Sequence, residues 1–379
     1  MNIELIKSYI LAFLVITSLV LTFALWTYQP NYDALQSNQA QYVNEEEVDL
    51  GGQQRTDYDV IEPVEIVFQR EDTHYGFTNP RDKRSFFLKM QEWVLEDYRT
   101  TVAEGPLNES RQIEIIFPES LPIEIFTRLF TVLDDDQLPN WSFERFYINL
   151  DTEDSKIYIQ ILSLDGQQLA SFTVNNQEHY QFVASYLNDD RNLDEFIQYH
   201  FSQYPIYIPA EQVTMYRRTL SISNIQPSLL VNALFINPSV VRSNAHESYY
   251  TDGQRGMRIE GRMMEFINPI HSRESVTDDL LLLDRSLNNI NEHHGWTEDY
   301  RLVDINRSEN KIIYQMHYDH YPIFSHAGLS YMEQIWRDHE LHLYRRPLFT
   351  INNLLTSEQV TMPSGKDILY YLENNDNYN

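Results

Sequence analysis

The chain has 379 residues, 42% of them hydrophobic and 13% aromatic, with 26 Tyr, 19 Phe and no Cys. That length suffices for two or more cores, and the lack of Cys excludes a disulfide framework and thiolate chemistry. Its formal charge of −28 comes from 56 acidic and 28 basic residues, a surface that repels phosphate backbones and excludes a nucleic-acid partner.

Tyr9 to Tyr28, YILAFLVITSLVLTFALWTY, is twenty residues without a charge. A helix of that length crosses the ~30 Å hydrocarbon core of a bilayer. Lys7 precedes it, whereas Asp33, Glu45, Glu46, Glu47 and Asp49 follow, so the positive-inside bias places residues 1–8 in the cytoplasm and the rest outside. A cleaved signal is the alternative; the run is long for one, and its nearest small-x-small pattern, Thr22-Phe23-Ala24, lies before Leu25 and Trp26. Trp26 and Tyr28 suit an aromatic belt. Ser18 and Thr22 share a helix face with Leu11 and Leu14, a stripe that ends at Trp26. Such a stripe admits a second helix, from another protein or from a second copy of the chain; the bland alternative is that the two hydroxyls bond their own backbone.

Residues 29–61 are acidic and poor in apolar groups, which predicts a tether. Residues 62–190 then alternate between strand and helix patterns. Val64 to Phe68 reads as a strand, Asp82 to Tyr98 as a helix, and Ile113 to Phe117 as a strand stopped by Pro118. Pro122 opens a helix, and three strands follow: Phe143 to Asn149, Lys156 to Ser163 and Leu169 to Val174, the last two joined across Asp165-Gly166. Gln177 to Leu187 closes this region as a helix.

Asp189 to Asn192 marks a joint, and residues 191–379 form the second region. Tyr204 to Pro209 and Val213 to Ser221 look extended, and Pro227 opens a helix ending near Phe235. Ser248 to Thr251 and Arg255 to Glu260 flank Asp252-Gly253 as a hairpin, and Met263 to Ile267 continues it. Val276 to Asn291 reads as a helix capped by Thr277. Tyr300 to Asn306, Lys311 to His317 and Met332 to Leu343 look extended, and Pro363 to Leu372 forms a short helix. The fold class expected is α+β: one membrane helix followed by two extracytoplasmic domains with mainly antiparallel sheets.

No constellation specifies a reaction. His317, Asp319, His320 and His326, with His339 and His342 nearby, form the densest histidine group, but His339-Glu340-Leu341-His342 lacks zincin spacing. No nucleophile elbow or phosphate-cradling glycine loop occurs. Pro363-Ser364-Gly365 reads as a helix start, and Asp134-Asp135-Asp136 and Asp278-Asp279 as solvated faces or helix starts. No metal or cofactor site is expected.

Three stretches carry a resemblance: the opening IELIKSYILAFLVITSLVLTFALWTYQPNYD, then Ala233 to Arg242, ALFINPSVVR, then Tyr250 to Gly256, YTDGQRG. In this order they resemble the YycH (WalH) family, membrane-anchored regulatory proteins of Gram-positive bacteria. The resemblance implies a non-enzymatic accessory of the essential YycG/YycF (WalK/WalR) two-component system, which governs cell-wall metabolism. It also implies two partners, the sensor histidine kinase YycG (WalK) and a YycI (WalI)-like single-span protein. Relatives of that family run on past a segment like Met362 to Leu369 into a further module, which this sequence does not show. An anchored receptor for a wall fragment or peptide is the alternative that an aromatic-rich ectodomain suggests.

Overall fold

The computed structural model describes residues 17–18, 49–103, 107, 110–133, 138–188, 193–200, 205–235, 239–243, 247–269, 279–325, 327–337 and 339–374. Among the described residues, ten strands build the first sheet: β1 (Glu65–Arg70), β2 (Thr73–Gly76), β3 (Val94–Val102), β4 (Arg111–Pro122), β5 (Thr131–Val132), β6 (Ser142–Asp151), β7 (Lys156–Leu162), β8 (Gln168–Val174), β9 (Asp194–His200) and β10 (Pro205–Pro209). They lie in the order β10-β9-β2-β1-β4-β6-β7-β8-β3-β5, antiparallel except for β3 against β5. Alternation sets the faces: Ile157, Ile159 and Ile161 of β7 are fully buried, and Phe68 pairs with Ile113 across β1 and β4. Helices Pro80–Met90 and Gln177–Asn188 supply Phe86, Phe182 and Tyr186, whose rings pack edge-on or stacked at 4.9–5.3 Å.

Three expectations change here. The helix predicted to reach Tyr98 ends at Met90, and Val94–Val102 is a strand. Trp93 turns the chain through its N–H to the Met90 carbonyl, and a β-branched run ending in Thr100, Thr101 and Val102 pairs with β8. The strand predicted to stop at Pro118 runs on to Pro122, with a break in register between Ile116 and Leu121 absorbing the proline. Beyond the joint, β9 and β10 add to the edge of the first sheet. Their anchor is polar: Arg145 Nη1 donates to Glu114 Oε1 at 2.9 Å, Tyr207 OH to Glu114 Oε2 at 2.6 Å, and Arg145 Nη2 to the Pro205 carbonyl at 3.2 Å.

A two-stranded ribbon, β11 (Thr214–Asn224) against β21 (Phe349–Thr361), leads out of the first unit and back into it. Between its arms lies the second sheet, in the order β12 (Ser239–Ser243), β13 (Glu247–Thr251), β14 (Gly256–Glu260), β15 (Met263–Ile267), β20 (Glu340–Pro347), β19 (Tyr331–Arg337), β17 (Lys311–Tyr318) and β16 (Asp299–Asn306), with β18 (Tyr321–Pro322) beside β17. The extended stretch predicted over Met332 to Leu343 is therefore a hairpin, turned at His339 with φ 66°. Leu282, Leu283 and Ile290 of helix Asp279–Asn291 join the same buried core as Met257, Phe266 and Tyr344. The expected start of that helix, Val276 to Asp278, lies outside the described residues.

The hairpin motif YTDGQRG is built as its sequence predicts. Gly253 has φ +94°, and Asp252 Oδ1 accepts the N–H groups of Gln254 and Arg255 at 3.0 and 2.8 Å. Arg255 lies over the Phe235 ring at 5.6 Å, so two of the three resemblance motifs meet in one packing contact.

Of the acidic tether, residues 49–61 are described and dock on the second unit. Leu50, Gly52 and Gln53 donate to the carbonyls of His293, His294 and Trp296, and Val60 and Ile61 are buried. The last helix, Gly365–Glu373, opens with Ser364 as cap: its Oγ accepts the Asp367 N–H at 3.3 Å.

Candidate functional site

The structure brings its three parts together around the turn Asp319-His320, both residues in the left-handed region with φ 52° and 68°. Arg81, from the first unit, donates through Nε to Asp319 Oδ1 at 2.9 Å, and Arg218, from the ribbon, through Nη1 to Oδ2 at 2.7 Å. Partial burial raises the Asp319 carboxyl, but these two guanidiniums outweigh it and hold it below the usual range.

Behind the turn runs a buried charge network. Arg301, 4% exposed, donates from Nε to Glu62 Oε2 at 2.6 Å, from Nη2 to Asp299 Oδ2 at 2.9 Å and from Nη1 to the Asp59 carbonyl at 2.7 Å. Arg84, on the Pro80–Met90 helix, donates to the same Glu62 oxygen at 2.8 Å, and Arg55 to Asp299 Oδ1 at 3.2 Å. Burial pushes Glu62 up, yet Arg301 and Arg84 together keep it ionised below its ordinary range. A second bridge crosses the units farther along, Arg128 to Asp284 at 2.8 Å.

Beside this joint opens a cleft of about 300 Å³. Phe77, Phe196 and Ile208 line it from the first unit, Met215 from the ribbon, Met362 from just past the ribbon's end, and Tyr321 from the second sheet. The chain permits the closeness of these walls at Gly365, where an added Cβ would stand 2.6 Å from the Pro209 carbonyl. Glu65, Thr78, Lys83 and His320 add polar side chains to the lining. Glu65 Oε1 accepts the Ile66 N–H at 3.0 Å, and burial raises its carboxyl despite the nearby Lys83. Lys83 Nζ is turned to the Val64 carbonyl. Among the described residues His320 Nδ1 is buried without a hydrogen-bond partner, and burial followed by the Arg84 charge lowers its pKa.

Of the histidine group, only the turn pair joins the cleft or its bridges. His317 Nδ1 lies 3.0 Å from its neighbour carbonyl Gln315, so Asp319 orients the two arginines and not an imidazole. His342 Nδ1 is held 2.6 Å from the Asn268 carbonyl, His339 contacts Arg285, and His326 lies outside the described residues. Among the described residues no group of three metal-ligating side chains converges. Ser364 is engaged as a helix cap, Asp279 begins a helix, and Asp134 to Asp136 and Asp278 lie outside the described residues.

Of the five span positions, Ser18 is described, helical beside Thr17 and exposed; Leu11, Leu14, Thr22 and Trp26 lie outside the described residues. Among the described residues no helix is long and apolar enough to cross a membrane. Sequence reasoning missed Arg301, Glu62, Arg84 and the cleft walls, because each acquires its role from a partner more than twenty residues away.

Fold and site together define a two-unit α+β protein with mostly antiparallel sheets, joined by a ribbon and by buried arginine–carboxylate bridges around an apolar cleft. The YycH protein N-terminal domain profile matches residues 4–191 and the YycH protein C-terminal domain profile residues 203–379, so the chain belongs to the YycH family. Among its relatives is the "two-component system WalR/WalK regulatory protein YycH" of Bacillus subtilis (strain 168), 21% identical over 386 residues that cover 95% of this chain and 84% of the relative. The crystal structure of YycH from Bacillus subtilis shares the fold, with a TM-score of 0.74 at 18% identity over 86% of this chain and 90% of that one.

Proposed function

We propose that this protein is a non-enzymatic, membrane-anchored accessory of a WalK/WalR-type two-component system. It would act on the sensor histidine kinase together with a YycI (WalI)-like partner. The observation that carries this reading is the likeness, over 95% of the chain, to a protein named as a WalR/WalK regulator. In this reading residues 1–8 are cytoplasmic, Tyr9 to Tyr28 spans the membrane, and the two sheets lie outside. Leu11, Leu14, Ser18, Thr22 and Trp26 then form the stripe that meets a kinase helix. A regulator of this kind biases the kinase only by binding one of its states more tightly, which requires no catalytic group.

Co-purification of the full-length chain with the kinase tests the helix contact. Ser18→Leu/Thr22→Leu lowers kinase recovery several-fold, and a scrambled span abolishes it. Undiminished recovery with the scrambled span rejects the membrane-helix contact.

One observation favours a second reading, in which the ectodomain also receives a ligand. The apolar cleft at the joint is walled by both units and the ribbon, so its occupancy would bear on their relative placement.

A further inference from the structure

We propose that the joint between the two units is an acid-released latch: protonation of His317 and His320 frees the Asp319-His320 turn from the Pro80–Met90 helix and opens the cleft beside it. The inference goes beyond the kinase contact and does not depend on it.

The joint already holds more positive than negative charge. Among the described residues its guanidiniums are Arg81 and Arg84 of the Pro80–Met90 helix, Arg218 of the ribbon, Arg301 of β16 and Arg55 of the docked tether. The carboxylates they share are Glu62, Asp299 and Asp319, which leaves two positive charges in excess. Glu65 and Lys83 of the cleft wall add one charge of each sign when both are ionised.

Both histidines stand against this cluster. His317 on β17 is the register partner of Asp299 on β16, and the charges of Arg301 and Glu62 also act on it. Its Nδ1 lies 3.0 Å from the Gln315 carbonyl, which only accepts, so a second proton goes to Nε2. His320 shares its turn with Asp319 and Tyr321, and the charges of Arg84, Glu62, Asp299 and Arg301 act on it from the facing elements. An imidazolium donates from both nitrogens, and the described residues offer the buried Nδ1 of His320 no acceptor. The closed joint therefore resists the second proton through hydrogen bonding as well as charge.

Opening admits water to both rings. Burial, with Arg301 at His317 and Arg84 at His320 acting the same way, holds their pKa values in the closed joint below the ordinary 6.5. Hydrated rings titrate near 6.5, so closure is fully favoured above that pH and loses ground as pH falls below it. A ring that refuses the proton when closed favours the open form by at most about thirtyfold at pH 5. The bridging carboxylates Glu62 and Asp319 stay ionised in this window, because the arginines hold them below their own ranges. Glu65, raised by burial, takes up a proton in the closed form and opposes the release, but two histidines outnumber it.

The test is a distance measurement by electron paramagnetic resonance on the full-length chain in lipid nanodiscs, with no kinase present. Nitroxides are attached at Leu88→Cys, exposed on the helix, and Phe324→Cys, exposed just past the turn, in a chain with no native Cys. One short distance is expected at pH 7.5. Between pH 6.5 and pH 5 the ratio of a longer to the short distance rises at least tenfold and reverts at pH 7.5, with circular dichroism unchanged. His317→Gln/His320→Gln keeps the short distance down to pH 5; should circular dichroism show that this variant fails to fold, the two single variants, each expected to cut the response at least threefold, decide. An unchanged distance in the wild-type chain down to pH 5 overturns the proposal. So does a longer distance that grows only with loss of the circular dichroism signal, or equal opening in the folded histidine variants. Because the kinase is absent, failure here leaves the co-purification result untouched.

Discussion

Arg301→Met is expected to destabilise the protein by about 3–5 kcal/mol, the range for removing one partner of a buried ion pair. Arg301 is 4% exposed, and its guanidinium serves Glu62, Asp299 and the Asp59 carbonyl at once. Its loss leaves Glu62 with Arg84 alone and Asp299 with the more distant Arg55. Glu62, 12% exposed, then keeps its charge in a site that solvates it poorly. The double variant Glu62→Gln/Arg301→Met should lose less than the sum of its parts, because it removes a buried charge together with its partner. Urea denaturation measures both effects. Since Arg84 sits on the first unit and Arg301 on the second, Arg301→Met should also split a single transition into two. Additive losses in a single transition would show that the joint is not an energetic unit.

Acidification from pH 7 to about pH 5 is expected to cost the second unit about 2 kcal/mol through His293 alone. Burial, followed by the Arg346 charge, holds the His293 imidazole at about 3, well below its ordinary 6.5. Between those two values the unfolded chain takes up a proton that the folded one refuses, so stability is complete above pH 6.5 and falls with pH through this window. His74, His317, His320 and His342 are lowered by burial in the same direction and add to the slope. His293→Leu should flatten the acid limb of a stability-against-pH curve by about 2 kcal/mol at pH 5, whatever it costs at neutral pH. A limb of unchanged slope would assign the acid sensitivity to groups other than His293.

What sequence can and cannot show is clear at particular residues. The Asp252-Gly253 hairpin was legible because its signal is local: a positive φ at Gly253 and a carboxylate that ties its own turn. Trp93 to Tyr98 was misread as helix because its apolar spacing suits either period, and pairing with β8 decides it. The thirteen residues of β21 gave no strand signal, since Asn352-Asn353 and Ser357 to Gln359 are polar and the partner β11 lies more than a hundred residues earlier. Gly52 falls within the predicted tether, yet a Cβ there would stand 2.5 Å from the His294 carbonyl, so the glycine permits docking. Asp319 lies in sequence within the histidine group, two residues from His317, yet it belongs in space to Arg81 and Arg218. The cleft was not legible at all, because its walls come from positions as far apart as Glu65 and Ile368.

The absence of native Cys allows a direct test of the central claim, that the Tyr9 to Tyr28 stretch is where this protein meets a kinase. Single cysteines introduced at each of residues 10–28, paired with cysteines in the kinase spans, are oxidised in living cells and the adducts measured. The account predicts adducts that recur with helical period and peak at positions 11, 14, 18, 22 and 26. Adducts at no position, or at equal yield on every face of the helix, would contradict it.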